Sequence, residues 1–236
     1  MTRHAVSDYC DFMPTDSRIW RSIWHRDFPR KIRDFRYKTM HDAYKIGHYW
    51  EKITNHEHRS LCQRCGVPES MEHILTECSS PGQNEVWNAA ESFWRQKYNH
   101  WTRPSLGLIL GCALVQHKTQ SGRSLPGVDR LFRILISQSA FLIWKLRCER
   151  VITHPEHSAP AIVNRWTSVI ADQLKLDQAL THPRFGKQAL PRKMVLRTWS
   201  NTLREEKFLP DDWITYSGVL VGINLPEHGT RRREPP

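Results

Sequence analysis

The chain has 236 residues, of which 39% are hydrophobic and 10% aromatic. This length and composition exclude a wholly disordered protein, and they supply one core or two small ones without a disulfide or metal staple. The 35 Lys and Arg residues outnumber the 24 Asp and Glu residues, giving a formal net charge of +11. The excess predicts a polyanionic partner, nucleic acid first; the alternative is a solvated basic surface that binds no polymer.

The cysteines and apolar segments indicate the compartment. No apolar stretch follows Met1, and the longest nearly uncharged run, Ile134 to Trp144, is too short to span a bilayer. The sequence has six cysteines and shows no secretory signal, and three of the cysteines fall within seventeen residues. This distribution is typical of a metal cluster plus buried thiols rather than a disulfide framework. We expect an intracellular protein of the nucleus or cytoplasm that is neither secreted nor bound to a membrane.

The N-terminal elements are predicted from apolar spacing. Residues 1–17 show no periodicity and are expected to be irregular. The apolar spacing that begins at Ile19 predicts a first helix with Ile19, Trp20, Ile23 and Trp24, closed by Pro29. A second helix of about six turns follows, because apolar residues recur there at intervals of three and four. The residues predicted to share its buried face are Ile32, Phe35, Thr39, Ala43, Ile46, Trp50 and Ile53.

The opposite face of the second helix is basic and aromatic. Between Arg18 and Lys45, nine Lys and Arg residues meet three Asp residues. Basic groups interleaved with aromatic ones suit phosphate contact plus base stacking, although a solvated polar face has the same composition. The side chains predicted to bind nucleic acid are Arg30, Lys31, Arg33, Tyr37, Lys38 and Lys45, with Arg64 nearby.

The rest of the chain is predicted to be helical as well. Residues 18–80 form a helical lead-in plus a zinc-binding region, and residues 81–210 a helical domain with an exposed loop near 117–127, the predicted internal boundary. The run 106–115 is a helix or a buried strand. The predicted helices of this domain are Asn84–Tyr98, Asp129–Ile152, Pro160–Leu180 and Met194–Leu203. Residues 218–223 are the one β candidate, and 211–236 form a C-terminal extension with a basic, disordered tail from 229. The fold class is mostly α, with a small structural zinc knuckle and little β.

One cluster carries specific chemistry. Cys62, Cys65, His73 and Cys78 have the spacing C-x2-C-x7-H-x4-C, and Gly66 relieves the backbone where it turns under the metal. Three thiolates and one imidazole favour a single tetrahedral Zn²⁺, and four protein ligands leave no position for water, so the predicted site is structural. The alternatives are free cysteines beside an unrelated histidine, or ligation by His56 or His58.

With the ligands placed, the flanking residues show a family resemblance. The ligands with the segment Glu69-Ser70-Met71-Glu72-His73-Ile74-Leu75 resemble the CCHC-type zinc-binding region at the C-terminal side of LINE-type (non-LTR) retrotransposon reverse transcriptases. The upstream segment Ile19-Trp20-Arg21-Ser22-Ile23-Trp24 resembles the lead-in of that family. Beyond residue 78 the chain is similar to the tails of fungal elements, in which an RNase H domain often lies upstream. The resemblance implies a region that helps to hold template RNA or target DNA near a polymerase.

Catalytic motifs are not found in the sequence. A polymerase or two-metal nuclease needs convergent carboxylates, and neither Tyr/Phe-x-Asp-Asp in a hairpin nor an RNase H acidic set is present. We therefore predict no enzyme, but a zinc-stabilised module that binds single-stranded RNA or DNA without sequence preference and lacks polymerase and RNase H catalytic residues. The alternative is a zinc-stapled helical scaffold for protein interaction. A hydrolase using the His-rich segment 41–58 is a third, weaker hypothesis.

Overall fold

The computed structural model describes residues 1–153, 157–215 and 222–224, and this part of the chain is mostly helical, as predicted. Its pairing of extended segments is limited to isolated antiparallel bridges, such as Leu61 with Pro68 and Lys118 with Ser124. No helix in these ranges is long and apolar enough to cross a membrane. The α-helices are α1 (Thr2–Cys10), α2 (Asp16–Ser22), α3 (Arg30–Met40), α4 (His48–Glu51), α5 (Gln83–Trp94), α6 (Leu106–Gly111), α7 (Pro126–Thr153), α8 (Ala159–Leu180) and α9 (Arg192–Trp199).

The prediction of an irregular N-terminus was wrong, because α1 occupies most of it. This helix packs on α6, where two glycines allow close approach. A Cβ at Gly107 would lie 2.8 Å from Cβ of Ala5, and one at Gly111 would lie 2.3 Å from Cγ2 of Val6. Because a tertiary contact holds α1 in place, local periodicity gave no sign of it.

The second helix is shorter than predicted. It ends at Met40, and a Schellman motif closes it: the N–H of Ala43 donates to the carbonyl of Lys38 at 2.9 Å, and Asp42 takes the left-handed conformation at φ 48°. The predicted six-turn helix was therefore wrong beyond Met40, and Ala43 is exposed, although Ile46 is buried in the core as predicted. Glycine is the usual residue at the position of Asp42, so the sequence carried no clear stop signal.

Helix α7 lies at the centre of the core and contains the whole of the predicted helix Asp129–Ile152. Five apolar residues on its inward side are at most 2% exposed. The following helix, α8, matches its predicted bounds to within one residue, and Trp166 and Ile170 are fully buried. Apolar residues from α3 and from α5 to α9 form one cluster around α7, so helices on both sides of the 117–127 loop share a core. The five inward residues of α7 are Leu131, Phe132, Leu135, Leu142 and Leu146.

A buried ion-pair network crosses the same core and was missed by the sequence prediction. Arg130 donates to both carboxylate oxygens of Asp177, at 2.5 and 2.8 Å, and lies 3.2 Å from Asp27. Asp177 also accepts a hydrogen bond from the indole N–H of Trp199 at 2.8 Å. The network links the segment between α2 and α3 with α7, α8 and α9, and it satisfies charges that burial would otherwise make costly.

The predicted exposed loop and the predicted β segment each differ in part from the structure or lie partly outside the described residues. His117 was placed at the start of the exposed loop, but it is 4% exposed, and its Nδ1 lies 2.8 Å from Asp129. Of the β candidate 218–223, Gly222 and Ile223 are described, and Ile223 pairs with Leu203. The remainder of that segment and the predicted tail from residue 229 lie outside the described residues.

Candidate metal centre

The first two ligands lie on a tight turn. The N–H of Cys62 donates to the carbonyl of Val67, and the N–H of Gly66 donates to the carbonyl of Cys62, both at 2.8 Å. Gly66 has a φ of +71°, a left-handed conformation that glycine adopts without steric strain. These contacts direct the thiols of Cys62 and Cys65 to the same side of the turn.

The other two ligands lie on one helical turn. The hydroxyl of Ser70 accepts a hydrogen bond from the N–H of His73 at 3.0 Å, so the helix opens where the sequence predicted. It then widens into a π-helical turn over His73–Glu77, and the N–H of Cys78 donates to the carbonyl of His73 at 2.7 Å. The wider turn brings residues five positions apart back to the same side, a detail that the spacing alone did not predict.

The four ligand atoms converge. They all lie within 4.8 Å of one another, and Sγ of Cys78 lies 3.8 Å from Sγ of Cys62 and 4.0 Å from Sγ of Cys65. Zinc–sulfur bonds of about 2.3 Å in a tetrahedron place the sulfurs about 3.8 Å apart. The spacing therefore matches a zinc site without rearrangement of the backbone.

The histidine independently supports a bound cation. His73 is 5% exposed, and its Nε2 is buried without a hydrogen-bond partner. Its Nδ1 lies 3.8 Å from the carboxylate of Glu77, which orients the ring. An unpartnered buried nitrogen is unfavourable unless a metal or a water completes it, so the donor set fits one zinc ion held by three thiolates and one imidazole.

The thiols differ in how readily they ionise. Hydrogen bonds from the side chain and backbone of Ser79 lower the pKa of Cys65 to about 6. Burial raises the pKa of the Cys78 thiol above its usual value. Zinc deprotonates thiols that coordinate it, so Cys65 is closer to its metal-binding form than Cys78.

Two contacts connect the site to the helical core. The indole N–H of Trp87 on α5 donates to the carbonyl of Leu75 at 2.8 Å. Glu69, which is 7% exposed, accepts a hydrogen bond from Nε of Arg147 on α7 at 3.0 Å. Ile74 and Leu75 are buried in the core, as predicted. The zinc region is therefore fixed to the rest of the fold on its helical side.

The structure does not place His56 and His58 in the cluster. Their rings lie 6.4 Å apart beside Trp50, and the described residues contain one group of possible metal ligands, formed by the four residues above. None of the six cysteines, all of them described, forms a disulfide. Of the three outside the cluster, Cys112 is buried, while Cys10 and Cys148 are half-buried.

The predicted nucleic-acid-binding residues lie in three places. Five are on α3, where Arg30, Lys31, Tyr37 and Lys38 are exposed and Arg33 is half-buried. Lys45 is exposed but follows the end of α3. It therefore does not lie on the helical face on which the sequence placed it. Arg64 is exposed on the turn between Cys62 and Cys65. Arg36, which the sequence prediction did not consider, is 1% exposed and donates to the carbonyl of Ser22 at 3.0 Å.

Comparison with known families gives one match. Residues 4–87 match the family of zinc-binding domains in reverse transcriptase, and this segment contains all four ligands together with most of α1 and all of α2 to α4. No curated protein and no solved structure gives a significant match. The chain therefore carries a zinc-binding region similar to that of reverse transcriptases, and the geometry of its four ligands supports one zinc ion.

Proposed function

We propose that the chain is a zinc-stabilised module that binds single-stranded nucleic acid, derived from the C-terminal part of a LINE-type retrotransposon reverse transcriptase of fungal kind. The observation that carries the proposal is the charge of the surface that leads into the zinc region. Between residues 18 and 41, all of them described, six Lys and Arg side chains are exposed against one exposed acid, Asp34. Such a surface binds phosphates without reading bases.

The distribution of charge on α3 supports this reading. Helical spacing places Arg30, Arg33 and Tyr37 along one side and Lys31 with Lys38 along the other. Asp34 lies between them, and its carboxylate is 3.8 Å from Nε of Arg30 on the exposed surface. A single exposed carboxylate among these four cations neutralises little of the field that attracts a polyanion.

We propose no enzymatic activity and an intracellular site of action, in the nucleus or the cytoplasm. Four protein ligands fill the tetrahedral shell of zinc, so no position is left for an activated water. Unpaired thiolates persist in the reducing interior of the cell. Within the proposal, zinc sets the conformation of residues 62–78, and the basic surface makes the contact with RNA or DNA.

The proposal is tested by charge reversal. The zinc-loaded chain with Arg30→Glu and Arg33→Glu should bind single-stranded RNA and DNA of any sequence more weakly, by a similar factor. A plot of log affinity against log salt should become shallower by about 1.4, because each lost phosphate contact on a single strand removes about 0.7. Fluorescence anisotropy at several salt concentrations measures both quantities.

Matched variants separate a local site from overall charge. Arg184→Glu with Lys187→Glu changes the net charge equally at an exposed turn elsewhere, and it should alter affinity far less. Lys31→Glu with Lys38→Glu, both exposed, repeats the test without the half-buried Arg33. Removal of residues 229–236, which include Arg231 to Arg233, should also have a small effect. If the control reversal or the deletion weakens binding as much as the α3 variants, the proposed surface is wrong.

A second candidate function, a helical scaffold for protein interaction, is favoured by one observation. At the C-terminal end of α7, Ile152 is 75% exposed and Val151 is 41% exposed. Exposed apolar groups at one helix end suit a protein contact. This contact would be insensitive to salt, unlike binding through phosphates.

A further inference from the structure

Four aromatic side chains form an exposed row at the C-terminal ends of α2 and α3, two of them just beyond the last helical residue. The rings of Trp20 and His41 lie 5.1 Å apart, those of His41 and Tyr37 4.3 Å, and those of Tyr37 and Trp24 6.1 Å. Trp24 is 56% exposed, and Trp20 and Tyr37 are each 43% exposed. We call these residues, Trp20, Trp24, Tyr37 and His41, the aromatic row.

The exposure of the two tryptophans contradicts the apolar pattern of α2. That pattern grouped them with Ile19 and Ile23, but the helix buries the isoleucines, which are 7% and 1% exposed. Residues at positions i and i+4 share one face, so one face takes the isoleucines and the next takes the tryptophans. Two of the largest apolar side chains therefore remain in water, which is unfavourable unless a partner covers them.

The charge around the row selects the class of partner. Arg21 lies between the tryptophans in sequence, and Arg26 follows them; both are exposed. On α3, Arg33 precedes Tyr37 by one helical turn and Arg30 by two, along the same side. An apolar protein surface would gain nothing from these cations, whereas a nucleic acid strand offers phosphates to them and base faces to the rings.

We propose that the aromatic row stacks the unpaired bases of a single strand while the flanking arginines hold its phosphates. The inference rests on the proposed binding of single-stranded nucleic acid and assigns the side chains that select unpaired over duplex nucleic acid. Base faces are accessible to aromatic side chains when the strand is open and are hidden by neighbouring bases in a duplex. The row thus supplies a preference for single strands that charge alone cannot give.

The test compares the wild-type, zinc-loaded chain with Trp20→Leu, Trp24→Leu and the double variant. Each single variant should weaken binding to single-stranded oligonucleotides by about tenfold, the loss expected for one stacked base. Binding to a duplex of matched length should change by less than about threefold, because its bases are not available for stacking. The slope of affinity against salt should stay unchanged, since no phosphate contact is removed.

Phe208→Leu is the matched control. Phe208 is 75% exposed, and Lys207 lies over its ring, but it is distant in sequence and outside the aromatic row. Its replacement should leave binding to both kinds of nucleic acid unchanged. Thermal unfolding should be similar for all of these variants, because each replaced side chain is exposed. As a second readout, an oligonucleotide should protect tryptophan fluorescence from acrylamide quenching in the wild type and not in the double variant.

The outcomes separate the inference from the proposed function. If Arg30→Glu with Arg33→Glu weakens binding and the tryptophan variants do not, the electrostatic surface stands and the stacking inference is overturned. The inference is also overturned if the tryptophan variants weaken single-strand and duplex binding equally, or abolish self-association of the chain instead. If the wild-type chain shows no salt-dependent binding at all, both statements fail.

Discussion

The zinc region and the helical core are held together by different forces. Between residues 61 and 70 only Cys62 and Glu69 are buried, so this segment has almost no apolar contribution of its own. The core around α7 buries apolar side chains from six α-helices and satisfies its few buried charges internally. The comparison predicts that zinc is required locally, where burial is too small to offset chain entropy, and not for the fold as a whole.

The largest expected effect comes from removing one ligand. Metal analysis should find about one zinc ion per chain in the wild type and no stoichiometric zinc in Cys65→Ser. In the variant, residues 60–80 should lose protection from hydrogen exchange. Helix α7 should keep its protection, because its apolar face is buried independently of the site. Cys10→Ser, a half-buried cysteine outside the cluster, should leave zinc content and exchange unchanged. Loss of protection throughout α7 would show instead that the metal organises the entire core.

The next effect tests the core. Asp177→Ala leaves Arg130 with only Asp27 as a carboxylate partner, and it removes the acceptor of the indole N–H of Trp199. Breaking a buried ion pair in this way should lower the free energy of unfolding by about 3–5 kcal/mol, as measured by urea denaturation. Asp172→Ala, an exposed carboxylate on the same helix, should lower it by less than about 0.5 kcal/mol. Equal effects of the two substitutions would mean that the network is not a stabilising feature.

The smallest effect concerns acid stability. Burial by itself raises the pKa of Asp27, but the charges of Arg130 and Arg133 outweigh it and hold the pKa below its usual value. The folded state therefore binds a proton at Asp27 less readily than the unfolded state does. The charged carboxylate stabilises the fold above the pKa that Asp27 has in the unfolded chain, and this stabilisation is lost as the pH falls through the lower pKa of the folded protein. Asp27→Asn should therefore lower the free energy of unfolding by about 1–3 kcal/mol at neutral pH. Below about pH 4 the variant should lose less stability with falling pH than the wild type.

Urea denaturation at a series of pH values measures this effect. Release of zinc in acid affects the wild type and the variant alike, so the difference between them isolates Asp27. Asp34→Asn, an exposed carboxylate on α3, should leave the pH dependence close to that of the wild type. An unchanged acid transition in Asp27→Asn would show that the arginines do not stabilise its charged form.

The sequence by itself determined the ligands and the main helices. Cys62, Cys65, His73 and Cys78 were recognisable because tetrahedral zinc requires four soft or borderline donors at short spacings, and these spacings are visible in the chain. Helices α7 and α8 were predictable because their apolar residues repeat with the helical period over many turns. The finer assignment of nucleic-acid-binding side chains stays a prediction.

Only the tertiary structure decided which apolar faces are buried and where buried charges meet. Helix α1 depends on contact with Gly107 and Gly111, more than a hundred residues away, and α3 ends through the backbone conformation of Asp42 rather than at a glycine. The exposure of Trp20 and Trp24 follows from the packing of the neighbouring isoleucines, because a local pattern cannot say which of two adjacent apolar faces meets the core. Pairs such as Arg130 with Asp177 bring together distant positions that no short-range periodicity connects.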